Sequence, residues 1–120
     1  MQNFKKLAVW QKSYQLVLDV YRFSQKFPKE EMYGLTSQAR WAAVSVPANV
    51  AEGSGKSTQN EFARFLDIAM GSLSELECYL EPFFDLHYLP DEEHTIYPEK
   101  LIEIRRMLAA FIQSVRKISD

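Results

Sequence analysis

Apolar residues recur along the chain at intervals of three and four for most of its length, and strict alternation is scarce. That period matches the helical repeat and predicts helices rather than strands. The strongest run is Phe62, Leu66, Ala69, Leu73, Leu76, Leu80 and Phe83, which predicts a helix from about Gln59 to His87 with one apolar seam. Leu7, Trp10, Tyr14, Val17 and Tyr21, broadened by Leu16 and Leu18, predict a first helix over Lys6 to Lys26, stopped by Pro28. Leu101, Ile104, Leu108, Phe111, Val115 and Ile118 predict a last helix from about Pro98 to Lys117, with Asp91 as an earlier start. Pro82 is expected to bend the third helix late in its course.

The second helix, from Leu35 or Thr36 to about Glu52, reads differently. Its face is built of small residues, Ala39, Ala42, Ala43, Ser45, Ala48 and Ala51, which let a neighbouring helix approach closely. Pro47 falls in its middle, removes one backbone donor and crowds the carbonyl of Ala43, so a kink is expected there. Four amphipathic helices with short connectors predict an all-α, antiparallel up-down-up-down four-helix bundle in a single domain over residues 1–120.

The stretch EGSGKST, Glu52 to Thr58, resembles the end of a phosphate-binding loop. The first glycine of that motif would stand at position 50, where Val50 is found, and the segment before it reads as helix rather than strand. The stretch is better read as a turn. Gly53 and Gly55 would close the second helix through a left-handed residue, and Ser57 or Thr58 would cap the third, with Glu61 as capping-box partner.

Composition narrows the picture further. Hydrophobic residues at 47% and charged residues at 25% describe an ordinary globular chain. A net charge of −2 lacks the basic excess of a dedicated nucleic-acid binder. The lone Cys78 cannot form an internal disulfide, which suits a cytoplasmic location. No run of about 20 apolar residues predicts a membrane span. The N-terminal MQNFKKLAVWQKS is not a secretory signal, because Gln11 and Lys12 break its apolar stretch.

Candidate chemistry is sparse. A carboxylate-bridged di-metal site needs paired Glu-x-x-His motifs on facing helices. His87 has Phe84 where its Glu should be, and His94 follows Asp91 in a connector, so no metal or cofactor is expected. Ser45, Ser72 and Ser74 have no nearby His, so no catalytic residues and no enzymatic activity are expected. The conspicuous polar residues lie on otherwise apolar faces: Gln38, Arg40, Ser45 and Asn49, then Ser72, Glu75 and Glu77. One reading is structural, with Asn49 repairing the carbonyl freed by Pro47 and Arg40 pairing with Glu75 or Glu77; the other is a ligand or partner site. Arg105 with Arg116, and Arg106 with Lys117, are each eleven apart and so share helix faces. They form a weak basic stripe that also complements the helix dipole.

The run YGLTSQARWAAVSVPANVAEGSGKST, followed by EFARFLDIAMGSLSELECYL and DLHYLP, resembles a bacterial four-helix-bundle family. Its members include proteins encoded by intervening sequences of large-subunit ribosomal RNA genes. The opening FKKLAVWQKSYQLVLDVYRFSQKFP is similar to that family's first helix, and the likeness weakens after about Pro90. The resemblance implies an antiparallel bundle assembled into a ring, typically a homopentamer. A related branch, the accessory protein of diversity-generating retroelements, works with a reverse transcriptase and nucleic acid. The family's recurring polar positions fall on Gln38, Ser45, Pro47, Asn49, Glu52, Gly53, Ser72, Glu75 and Glu77, and no catalytic role attaches to them. The mild acidity of this chain departs from the basic character of that related branch.

Two functions follow as expectations. One is a non-enzymatic homo-oligomeric scaffold, with itself as partner and RNA or a nucleic-acid-processing protein as a further one. Trp10, Trp41 and Tyr33 would be its interface aromatics. The other is a small-molecule- or metal-binding bundle with an unrecognised activity.

Overall fold

The 3–4 periodicity folds into four α-helices in the computed structural model, which describes residues 3–119. They are α1 (Ala8–Ser24), α2 (Leu35–Ser54), α3 (Gln59–Asp85) and α4 (Ile96–Ser119), with short 3-10 turns at Phe4–Lys6, Lys29–Glu31 and Asp91–Glu93. No strand is present among the described residues.

Cross-helix contacts give the relative directions. Gln38, Ser45 and Gly53 of α2 meet Tyr79, Ser72 and Phe65 of α3, so partner numbers fall as residue numbers rise. Asp67 and Glu77 of α3 likewise meet Arg116 and Arg105 of α4, and Lys12 and Asp19 of α1 meet Glu103 and Lys100 of α4. Each of these pairs of helices runs in opposite directions.

The α3 seam is buried throughout: all seven residues from Phe62 to Phe83 lie in the core. On α1 the buried residues are Val9, Ser13, Leu16, Val17, Asp19, Val20 and Ser24. Val17 and Leu16 of the line read from the sequence are among them, but the stripe is turned so that Tyr14 and Tyr21 are exposed. Two serines occupy this stripe because each hydroxyl donates to its own helix, Ser13 to the Trp10 carbonyl and Ser24 to that of Tyr21. Asp19 is buried on the same helix, and Lys100 (2.7 Å) and Arg22 (3.1 Å) hold it as an ion cluster. On α4, Ile112 is buried, whereas Ile118 is exposed.

Helix ends depart from expectation in an informative way. Thr58 caps α3 as the sequence suggests, accepting the Glu61 amide at 3.1 Å. No glycine among the described residues has a positive φ. Gly53 therefore does not terminate α2, which continues to Ser54. The left-handed position falls instead on His87, at φ 62°, after α3. There Tyr88 N–H reaches the Phe83 carbonyl at 2.8 Å and His87 N–H that of Phe84 at 3.0 Å, the pairing of a Schellman motif.

Gly53 has another task. A Cβ built on it would stand 2.8 Å from Phe65 Cβ and 2.9 Å from a Phe62 ring carbon. Phe65 Cβ is tied to the α3 backbone and cannot swing aside, so only hydrogen fits where α2 and α3 touch. Gly71, also inside α3, has nothing within 4 Å of the same construction. Alanine is favoured over glycine in a helix by about 1 kcal/mol, while forcing extra carbon into a packed site costs about 1–3 kcal/mol. Gly71→Ala is therefore expected to raise the urea midpoint and Gly53→Ala to lower it. A Gly53→Ala protein as stable as the parent would show that the two helices separate freely.

Candidate functional site

Helix α2 carries the residues of interest, and its composition sets it apart. Over twenty residues only Arg40 and Glu52 are charged, against seven charged residues in α4. A surface helix ordinarily carries its charges on the side away from the core. The buried side of α2 includes Thr36, Ala39, Ala42, Ala43, Val46, Pro47 and Val50, with Gly53 and Ser54 at its end. Its opposite side presents Trp41, Val44 and Ala48, with Glu52 at one end. Trp41 is 78% exposed.

The edge of α2 facing α3 is a ladder of polar contacts. Tyr79 Oη donates to Gln38 Oε1 at 2.8 Å. About two turns along, the Ser45 and Ser72 hydroxyls lie 2.7 Å apart. Asn49 Nδ2 donates to the Ser45 carbonyl at 2.8 Å and to Ser45 Oγ at 3.0 Å. Asn49 thus doubles the donor on the Ser45 carbonyl and does not reach the Ala43 carbonyl that Pro47 leaves without its partner. The helix runs unbroken past Pro47, which is buried. Small hydroxyls suit the middle of this edge, where Ser45 and Ser72 meet at 2.7 Å, whereas the longer Gln38 and Tyr79 reach across it farther from Gly53.

Arg40 does not pair with Glu75 or Glu77. Its Nε donates to Ser24 Oγ at 2.8 Å, and its guanidinium lies 4.8 Å from the Tyr21 ring centroid, both on α1. The reason is angular: Arg40 stands five positions before Ser45, roughly 140° around the helix, and so points away from α3. Glu77 is taken by Arg105 at 2.9 Å, and Glu75 is exposed between Ser72 and Tyr79.

The basic stripe is largely tied down. Arg105 binds Glu77 and also the Ser74 hydroxyl at 3.1 Å, and Arg116 binds Asp67. Arg106 and Lys117 are exposed on the same helix. Two of the four cations are thus engaged with α3, which leaves no continuous cationic track along that face. Of the other aromatics, Tyr33 is 96% exposed. Trp10 is half-buried, stacked on Tyr14 with ring centroids 5.0 Å apart.

Trp41, Val44, Ser45, Ala48, Asn49 and Glu52 together line a shallow cleft of about 160 Å³. The polar ladder therefore forms one wall of an apolar surface. Val44 and Ala48 belong to it, although nothing but their position marks them. The sequence signal that could have found them is the shortage of charge around the whole circumference of α2. Among the described residues no group of three or more His, Cys, Asp or Glu is arranged to hold a metal ion. No helix among them is long and apolar enough to cross a membrane.

A family model described as 23S rRNA-intervening sequence protein matches residues 5–110. Among solved structures, a protein of unknown function from the S23 ribosomal protein family of Bacteroides thetaiotaomicron is similar, with a TM-score of 0.79. The two chains share 21% identity over 88% of this chain and 95% of that one, a likeness of fold. No curated protein matches.

The Ser45–Ser72 contact gives a direct test of the ladder. A net hydrogen bond contributes about 0.5–1.5 kcal/mol, so Ser72→Ala is expected to cost roughly 1 kcal/mol in urea unfolding. Ser72→Val should cost more, because added carbon must separate α2 from α3. A valine variant as stable as the alanine one would contradict the close approach at this point.

Proposed function

Since the chain belongs to the 23S rRNA-intervening sequence protein family, we propose that it is a non-enzymatic homo-oligomeric scaffold, assembled through the outer face of α2. The observation that carries this reading is Trp41, 78% exposed in the middle of a helix with two charges in twenty residues. A tryptophan side chain buries on the order of 150–250 Å² when covered. At about 25 cal/mol per Å² that area is worth several kcal/mol, which offsets a substantial part of the cost of bringing two molecules together. The surrounding Val44, Ser45 and Ala48 are short, so a partner can come close to the helix. The polar ladder then serves to hold α2 in place rather than to perform chemistry.

The subunit number in this reading is five, taken from the family resemblance, and the location is the cytoplasm. RNA or a protein that processes nucleic acid stands as a further partner on the same ground alone. The engagement of Arg105 and Arg116 with α3 argues that such contact would need a surface other than that stripe.

Trp41→Glu tests the assembly. The side chain touches solvent in the single chain, so the variant should keep full helical content by circular dichroism. Interface tryptophans often contribute 2 kcal/mol or more, so its association constant should fall at least about 30-fold. Light scattering should then report a mass near 14.0 kDa for the variant and several times that for the parent. Equal masses for the two proteins would refute assembly through this face.

A further inference from the structure

A side chain as exposed as Trp41 calls for an apolar receptor, and the same chain carries one. Leu7, Ala8 and Val9 at the start of α1, with Met107 and Phe111 on α4, line a cleft of about 290 Å³. The ion pairs that fasten α1 to α4, Asp19–Lys100 and Lys12–Glu103, lie deeper along both helices. Met107, Phe111 and Leu7 are only partly buried. The volume is just under the roughly 300–1,000 Å³ of small-molecule pockets. All five lining side chains are apolar, so nothing there would orient a metabolite, whereas an indole can seat its ring in such a cleft with its N–H left at the open rim facing water.

Charge favours the same pairing. Lys5 and Lys6 are exposed in the 3-10 turn that leads into Leu7. The outer face of α2 is bordered instead by the exposed carboxylate of Glu75 alongside on α3, and at its end by Glu52, which Lys56 approaches at 4.0 Å. Joining these two surfaces brings lysines to carboxylates. Joining two α2 faces would bring the two Glu75 carboxylates to one contact, which opposes association.

We propose that Trp41 of one copy seats in the cleft between Leu7 and Phe111 of a second copy. This rests on the self-association proposed above and adds its geometry. Knob and cleft are different surfaces of the chain, so the contact is heterologous. Each copy then offers a free knob to one neighbour and a free cleft to another, which builds a ring or a filament rather than a two-fold dimer.

Complementation between two defective proteins tests this. Trp41→Glu destroys the knob and keeps the cleft. Ala8→Glu, at an exposed position, blocks the cleft and keeps the knob. Each alone should be a folded monomer by light scattering and circular dichroism. An equimolar mixture should double in mass and stop there, since one good knob meets one good cleft and no further contact remains. If Ala8→Glu does not fold, Met107→Glu takes its place. Assembly of the cleft variant at parental mass, with Trp41→Glu monomeric, would overturn the cleft as receptor and leave association through α2 standing. Two monomers that fail to pair on mixing would also overturn it. A monomeric parent would remove both proposals together.

Discussion

The separation of α2 and α3 is set at Gly53, where hydrogen alone fits against Phe62 and Phe65, and much of the surface follows from it. Near this close approach the facing side chains are short, and Ser45 and Ser72 stand with their hydroxyls 2.7 Å apart, while farther along the longer Gln38 and Tyr79 bridge the two helices. The buried side of α2 is correspondingly made mostly of alanine, threonine and valine. A helix so poor in bulk buries little apolar area per residue inside the chain. Its outer side, with Trp41, Val44 and Ala48, offers area that only a second molecule can cover.

The fold was legible wherever burial and hydrophobicity coincide. The α3 seam is the clearest case, since all seven of its residues are apolar and all seven are buried. The pattern misled on α1 because Ser13, Asp19 and Ser24 are buried polar residues, satisfied by backbone carbonyls and by Lys100 and Arg22. Burial of that kind depends on partners distant in sequence, so no local period reveals it. Tyr14 and Tyr21 filled the apparent gap in the pattern, and both are exposed. Gly53 was recognised as special for the wrong reason. Glycine serves a left-handed turn or a close approach equally well, and only the position of Phe65 decides between them.

The polar residues of the site divide in the same way. Ser45, Asn49, Ser72 and Gln38 were identifiable as polar groups on apolar faces, and the structure brings the first three into one hydrogen-bonded cluster. Gln38 is bonded separately, to Tyr79, a partner 41 residues away. Arg40 was assigned to the wrong neighbour because carboxylates are its obvious partners in a sequence. In the fold it faces α1, where a serine hydroxyl and a tyrosine ring receive it. The basic residues of α4 are spaced eleven apart in pairs, yet Glu77 and Asp67 of α3 engage two of them. Spacing alone reports which residues share a side of one helix and is silent on what the next helix sets against them.

Assembly through α2 would cover its outer face. The emission of Trp41 itself reports this, in a Trp10→Phe protein where it is the sole indole, followed over a wide range of protein concentration. Blue-shifted, poorly quenched emission is expected at high concentration, moving toward the solvent-exposed value on dilution as the copies separate. Emission characteristic of a solvated indole at every concentration would contradict assembly through this face.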